Sequence, residues 1–344
     1  MQFGSIEWYA AVAGTIDVLY REELHRPSEI VGAATWLYHA RENGRDGTWL
    51  REQLHNSAEG IEARKPHPPK PATLPGIRGL DFVDEAGQRT VLCGCDAFLA
   101  YRQFLDGVDL TPFFAESREL GFSLWRVFLM GSIAQNTVMD LRPSEPGYYD
   151  KLRPFADLLN ANGITLLATV FVDAEDVMPQ ASERDRHWHA VADRLRGPAT
   201  ILSGGNQYSK NGWNPSELSD PGMMWSRGSD VSDRVTQPHG APVQEFHPRR
   251  DLPASIMDAV ASAVFIYQSG TDWKRPLIIS EPRKYTEDGA GDTSNDPNLA
   301  WEFARLYSTE CAGAVFHSWS GQRGQFLGPN QRACAAAFVR GMRL

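Results

Sequence analysis

The chain has 344 residues, of which 42% are hydrophobic and 22% charged, and its formal net charge is -9. This composition excludes a disordered chain, a collagen-like repeat and a coiled coil, and the length suggests about two domains of ~150 residues. Because the acidic excess repels phosphate backbones, we expect no nucleic-acid partner.

The first 62 residues carry a helical pattern. Apolar residues recur at helical spacings around residues 16–24 and again around 31–37. The segment resembles a short helical module of bacterial secreted and surface proteins, so we expect a small all-α domain over residues 1–62 that docks the chain onto other subunits. The N-terminus lacks the basic region of a signal peptide, and no apolar stretch is long enough to cross a bilayer. We therefore expect no signal peptide and no membrane insertion.

A proline-rich stretch follows. Residues 63–75 contain Pro66, Pro68, Pro69, Pro71 and Pro75. Prolines at this density favour extended polyproline conformation and exclude a helix. This stretch is predicted to be a semi-rigid linker between the helical module and a domain over residues 76–344.

Short apolar runs alternate with amphipathic helical stretches from residue 76 onward. The predicted strands cover residues 89–96, 123–130, 164–171, 199–206, 223–227, 243–247, 276–281 and 313–319. The predicted helices cover residues 110–121, 148–163, 186–197, 252–270, 297–310 and 331–342. This order predicts an α/β fold, a (β/α)8 TIM barrel. An open doubly wound sheet is the competitor, and the lack of a glycine-rich phosphate turn after the first strand disfavours it.

Polar and aromatic residues close several of these strands, at the end where a barrel collects its functional groups. They are Asp96, Asn206 with Gln207, His247, Glu281, and His317 with Trp319. We expect these side chains to meet at one mouth of the barrel.

Six segments in this order resemble retaining glycoside hydrolases of the barrel clan that includes cellulases and mannanases. The segments are DFVDEAGQRTVLCGCDAF, GFSLWRVFLM, HWHAVADRLRGPATILSGGNQY, EFHP, PLIISEP and GAVFHSW. The resemblance implies a small hairpin before the first strand and a polysaccharide or glycan ligand.

The resemblance also implies roles for individual residues. Glu281 would be the nucleophile, with Arg126 inside the barrel beside it. Asn206 would bind a sugar hydroxyl, His247 would lie on the sixth strand, and Trp319 would form the floor of the sugar site. An ordinary structural ion pair between Arg126 and Glu281 remains the alternative.

One departure from the family pattern bears on activity. The family has a general acid/base Glu after the Asn, where this chain has Gln207. A retaining glycosidase needs two carboxyl groups, and an amide cannot deliver a proton. A neighbouring carboxylate could replace it, and the candidates are Asp173, Glu175, Glu217 and Glu245.

Other side chains are candidates for the sugar site. Asp96 and His317 close the first and last strands, and Trp213 and Trp225 suit stacking on a sugar. A hydrogen-bonded rim histidine and core-filling tryptophans are the alternatives.

We predict neither a metal nor a cofactor. The four cysteines show no CxxC spacing and are expected to be small buried residues, and no HExxH is present. His187 and His189 face different directions on a helix. The loop 285–296 contains Asp288, Asp292 and Asp296 but lacks EF-hand spacing, so a lid is favoured over a calcium site.

These patterns predict a carbohydrate-binding, glycosidase-like barrel with weakened or lost hydrolysis, placed in an extracellular or virion assembly. Two alternatives stay open. One is an active retaining β-glycosidase that uses Glu281 with a displaced acid. The other is a purely structural component of a phage tail or cell surface.

Overall fold

The structure is a computed structural model that describes residues 52–53, 69–132, 139–207, 211–229, 240–247, 275–282, 284–289 and 293–343. The chain divides into two compact units, Met1–Pro68 and Pro69–Leu344. The predicted helical module, part of the linker and the helix predicted over residues 252–270 lie outside the described residues. They stay predictions.

A small antiparallel sheet precedes the main domain, as the family resemblance implies. Its strands are β1 (Gly76–Arg78), β2 (Asp81–Val83) and β3 (Arg89–Thr90). Phe82 in β2 is fully buried in a cluster with Leu124, Leu167 and Ile278 from the large sheet. The hairpin therefore closes one end of the main domain.

The large sheet contains eight parallel strands that form a barrel, so the predicted (β/α)8 fold is confirmed. They are β4 (Leu92–Asp96), β5 (Leu124–Phe128), β6 (Thr165–Phe171), β7 (Thr200–Gly205), β8 (Trp225–Ser226), β9 (Gln244–Phe246), β10 (Leu277–Ile279) and β12 (Gly313–Ser318). A short strand β11 (Lys284–Tyr285) pairs with β12. The strand order is β8-β7-β6-β5-β4-β12-β10-β9, and a hydrogen bond from Val243 N to Trp225 O (3.2 Å) connects its two ends.

Helices follow most strands and cover the sheet from outside. They are α1 (Ala100–Leu105), α2 (Thr111–Leu120), α3 (Tyr148–Ala161), α4 (Ala174–Val177), α5 (Ala181–Leu195), α6 (Pro297–Glu310), α7 (Trp319–Gln322) and α8 (Pro329–Met342). The predicted helix over residues 297–310 has these bounds in the structure. In α6 the Asp296 side chain accepts a hydrogen bond from Asn298 N and so caps the helix.

Two hydrophobic layers hold the barrel together. Leu124, Leu167, Ile201, Ile278 and Val315 come from five strands and are fully buried in one cluster, which places them in the barrel interior. Larger clusters fill the space between the sheet and the helices. Because successive residues of a strand point to opposite faces, this interior layer fixes which later residues of each strand also point inward.

His187 is a buried, neutral residue of the outer layer. It lies on α5 beside Tyr148 and Phe171, and its Nδ1 is 2.7 Å from the Tyr149 hydroxyl. Burial lowers its pKa from 6.5 to about 3. His187 therefore contributes to the packing of α5 against the barrel.

This shift predicts acid sensitivity. Between about pH 6.5 and pH 3 only the unfolded chain takes up a proton at this site, so the free energy of unfolding falls as the pH falls, by up to about 1.4 kcal/mol per pH unit. We expect His187→Gln to flatten this dependence. Urea unfolding of both proteins at several pH values measures the slopes, and equal slopes would contradict the assignment.

Candidate active site

The predicted site residues lie at one end of the barrel. Asp96 ends β4, Asn206 and Gln207 follow β7, His247 follows β9, and Glu281 comes two residues after β10. Because the barrel strands are parallel, their carboxyl ends share one mouth. The topology therefore gathers groups that are far apart in the chain.

Glu281 is a buried carboxylate whose two oxygens are both paired. Arg126 Nη1 lies 2.6 Å from its Oε1, and His247 Nε2 lies 2.5 Å from its Oε2. The residue is only 3% exposed. The ion pair with Arg126 and the contact with His247 hold the carboxyl group in one orientation.

Arg126 joins three strands through one guanidinium group. It is fully buried in the middle of β5, and besides Glu281 its Nη1 donates to Ser280 O at 3.2 Å. Its Nη2 donates to Asn206 Oδ1 at 3.1 Å. The guanidinium also lies 5.3 Å from the ring centres of both Phe98 and Phe128. Asn206 on the fourth barrel strand and Glu281 on the seventh are therefore fixed by the same side chain.

The turn after β7 has an unusual backbone. Gln207 has a φ of 44°, in the left-handed region that few residues other than glycine adopt. Asn211 stabilises the turn, because its N donates to Gln207 O at 3.0 Å and its Nδ2 to Asn206 O at 2.6 Å. Strained backbone of this kind concentrates at functional sites.

Glycines let the backbone approach closely beneath this turn. A Cβ at Gly228, which has a φ of 84°, would lie 2.0 Å from Gly205 O. Only glycine fits here, and the contact brings the segment after β8 against the end of β7. The sequence contained no signal for this close approach.

Asp96 and His317 pair with each other rather than opening onto the cleft. His317 Nδ1 is hydrogen-bonded to Asp96 Oδ2, and both residues are buried. The Nε2 of His317 lies 3.2 Å from Gln322 Nε2, at the end of α7. The pair joins the ends of β4 and β12, so the structure supports a role in holding the mouth in shape.

The tryptophans predicted to stack on sugar occupy different environments. Trp213 is 5% exposed, packs 5.3 Å from the Phe171 ring, and lies over Gly205. Trp225 is likewise buried, against Trp188. Neither ring offers an open face for a sugar, because both fill the core. Trp319 begins α7, and its side chain lies outside the described part of the structure.

The four carboxylates that could replace Gln207 as the acid differ in position and in hydrogen-bond partners. Asp173 lies two residues beyond Phe171, which pairs with Gly205 two residues before Gln207. Asp173 and Gln207 thus each follow, by two residues, the last paired residues of neighbouring strands. Glu217 is bound to Arg184 of α5 at 2.7 Å, and Glu245 is buried in the barrel and bonded to Ser226.

Asp173 shares two features with the turn at Gln207. Its φ of 54° is also in the left-handed region, and its side chain is buried, with Oδ2 accepting a hydrogen bond from Ser132 N at 2.9 Å. Glu175, the fourth candidate, is exposed beside Gly212. Among the four, Asp173 has the position nearest in register to Gln207.

Metal binding and membrane insertion have no support in the described residues. No group of three or more His, Cys, Asp or Glu side chains there could hold a metal ion. None of the four cysteines, all of them described, forms a disulfide, and burial raises the pKa of Cys93 and Cys334 to about 12, which makes these two thiols unreactive. No described helix is both long and apolar enough to span a membrane.

In the described part of the loop after Glu281, polar groups bond to one another and to the start of α8. Thr286 Oγ1 donates to Asp288 Oδ1 at 3.0 Å, and Glu287 accepts from Asn330 N and Gln331 N at the start of α8. Asp292 lies outside the described residues. These contacts attach the loop to α8.

Solved structures similar to this chain include glycoside hydrolases. A glycoside hydrolase family 5 protein from Bacteroides vulgatus ATCC 8482 matches with a TM-score of 0.55 at 13% identity, over 73% of this chain and 63% of its own. Another glycoside hydrolase matches with a TM-score of 0.54 at 10% identity, over 76% of this chain and 68% of its own. The catalytic domain of the Thermobifida fusca endoglucanase Cel5A matches with a TM-score of 0.51 at 14% identity, over 79% of this chain and 97% of its own.

These likenesses establish the fold. The chain spans less than two thirds of the Bacteroides protein. No protein-family model matches the sequence, and no curated protein matches it either. The chain thus has the (β/α)8 fold of these glycoside hydrolases at very low sequence identity.

The buried contacts of Arg126 predict a large effect on stability. Arg126→Met removes the charge that compensates Glu281, and breaking a buried ion pair typically costs about 3–5 kcal/mol. We expect a loss of this size in the free energy of unfolding, measured by urea titration. Asn206→Ala, which removes one neutral partner, should cost about 1 kcal/mol. Equal stabilities of Arg126→Met and wild type would contradict the geometry.

Proposed function

We propose that the barrel mouth binds carbohydrate, a polysaccharide or glycan, and hydrolyses glycosides weakly or not at all. One observation carries the proposal. Arg126 holds Glu281 and Asn206 on facing strands, and the residue after Asn206 is Gln207. The arrangement contains a nucleophile position without the expected proton donor.

The chemistry of retaining hydrolysis explains why the amide matters. One carboxylate attacks the anomeric carbon, and a second carboxyl about 5–5.5 Å away protonates the leaving oxygen. Glu281, paired with the Arg126 guanidinium, would be the attacking carboxylate. An amide at position 207 resembles a carboxylic acid in shape and can donate a hydrogen bond to a glycosidic oxygen, but it has no proton to transfer. Loss of general acid help costs typically about 10²–10⁴-fold in rate.

A second candidate function rests on Asp173. Its register with Gln207 favours it as a displaced acid, which would make the protein an active retaining β-glycosidase with Glu281 as nucleophile. Asp173 follows the third barrel strand at the mouth, whereas Glu217 is bound to Arg184 and Glu245 to Ser226. This is the alternative that the experiments below separate from the first.

We further propose that residues 1–62 dock the barrel onto other subunits of an extracellular or virion assembly. The support is the helical pattern of this segment and its separation from the barrel, since the chain divides at Pro68. Full-length protein and a chain lacking residues 1–68 should then differ in assembly.

Restoring the proton donor tests the first proposal. We expect Gln207→Glu to raise turnover of unactivated β-glycosides by about 10²-fold or more, because only the acid step was missing. Reducing-sugar release from a panel of β-glycans measures it. The matched control is the double variant Gln207→Glu with Glu281→Gln, which should lose the gain. No gain on any substrate would count against Gln207 as the acid position.

Ligand binding separates the remaining outcomes. Wild-type protein should bind at least one glycan on an array without degrading it, and activated aryl glycosides should be its best substrates because their leaving groups need little protonation. Binding to no glycan would favour a purely structural role for the barrel.

The displaced acid has its own test. If Asp173 donates the proton, Asp173→Asn should lower wild-type hydrolysis of unactivated glycosides by about 10²-fold or more while affecting activated aryl glycosides little. The exposed neighbour Asp176→Asn is the control. Equal loss on both substrate types would instead indicate a structural role for Asp173.

A further inference from the structure

A ribbon of polar side chains crosses the barrel interior below the candidate site. Thr169 on β6 pairs in register with Ser203 on β7, and Ser203 pairs with Ser226 on β8. The Ser226 hydroxyl then donates to Glu245 Oε1 on β9. The ribbon therefore runs without a break across four consecutive strands.

Strand alternation places the ribbon inside the barrel. Leu167, Ile201 and Val243 belong to the apolar interior cluster, and each lies two residues before a ribbon residue on its strand. Residues two apart on a strand share a face, so Thr169, Ser203 and Glu245 also point inward. Thr169, Ser203 and Ser226 are fully buried, and Glu245 is 2% exposed.

Several polar atoms of this region have no protein partner among the described residues. They are Thr169 Oγ1, Ser203 Oγ, Glu245 Oε2 and, from the neighbouring strand β5, Arg126 Nε. An unpaired buried hydroxyl or carboxylate oxygen costs free energy comparable to a lost hydrogen bond, and more when charged. These four atoms come from four strands and point into the same barrel interior, so one kind of bound ligand there could hydrogen-bond to all of them.

We infer that the barrel interior around this ribbon is a hydrated chamber, in which buried water molecules bind to Thr169, Ser203, Glu245 and Arg126. The donor and acceptor properties of these four atoms indicate that the ligand is water. Glu245 Oε2 can accept a hydrogen bond, whereas Arg126 Nε only donates one. Water satisfies both, because it donates and accepts, whereas a metal ion cannot accept a hydrogen bond from Arg126. Buried waters of this kind typically make about three hydrogen bonds to polar groups that lack protein partners.

The chamber gives Glu245 a role that is independent of the sugar chemistry. Its Oε1 is satisfied by Ser226, and water at Oε2 completes its hydrogen bonding. The chamber also supplies the partner for the one guanidinium nitrogen of Arg126 that the mouth residues leave unused. The hydrated chamber does not depend on whether the barrel mouth binds carbohydrate.

The sign of a stability change tests the chamber. Thr169→Val replaces the hydroxyl by a methyl group of similar size. If water binds there, the variant loses a water partner and its Tm should fall by about 2 °C. If the chamber is dry, removing an unsatisfied hydroxyl should raise the Tm.

Thr200→Val is the matched control. Thr200 Oγ1 is also buried without a partner among the described residues, but it pairs with Leu166 on the opposite, helix-facing side of the sheet. This variant should keep or raise the Tm. A Thr169→Val protein whose Tm equals or exceeds that of Thr200→Val would overturn the inference.

A direct count of bound water provides a second measurement. Ser203→Val places a larger apolar group in the chamber and should displace at least one long-lived water, which oxygen-17 relaxation dispersion of the solvent detects. Thr200→Val should leave the count at its wild-type value. An unchanged count in Ser203→Val would overturn the hydrated chamber even if the variant remains folded and binds glycan.

Discussion

The buried guanidinium of Arg126 is the constraint on which the candidate site depends. A fully desolvated positive charge is tolerated only when it is paired and hydrogen-bonded. Glu281 provides the opposite charge, Asn206 and the Ser280 carbonyl provide neutral acceptors, and Phe98 and Phe128 provide aromatic faces. Because these groups come from different strands, satisfying one side chain also sets the geometry of the mouth.

The barrel interior is organised in layers with different chemistry. Apolar residues such as Leu167 and Ile278 fill the end covered by the hairpin. Hydroxyl groups and Glu245 follow, and the charged group around Arg126 and Glu281 lies at the mouth. This order places the buried charges nearest the mouth and leaves the apolar end to supply hydrophobic stability.

Replacing a carboxyl by an amide at position 207 changes chemistry without requiring a change of fold. The left-handed turn at Gln207 is stabilised by backbone and side-chain hydrogen bonds from Asn211, none of which uses the Gln207 side chain. Under the proposed function, the binding groups and the nucleophile position would therefore persist while proton transfer is lost. Recognition of a ligand and its turnover are separable in such a site, since only interactions made in the transition state raise the rate.

The sequence by itself determined the eight strands, most of the helices and the residues that close each strand. Runs such as residues 164–171 are apolar except for two threonines and lie between Gly163 and Asp173, so the local pattern identifies them. The position of Glu281 after the seventh strand, and of Asn206 and Gln207 after the fourth, followed from the same pattern.

The family resemblance implied the Arg126–Glu281 pair, but only the tertiary structure decided the other contacts among these side chains. Arg126 and Glu281 are 155 residues apart, and His317 and Asp96 are 221 apart. The structure adds that the sugar-site candidates His247 and His317 contact Glu281 and Asp96. The ring of Trp213, a stacking candidate, is 5% exposed and lies over Gly205. Register between distant strands decides such contacts, and a one-residue shift, which local pattern does not specify, would turn each side chain to the other face.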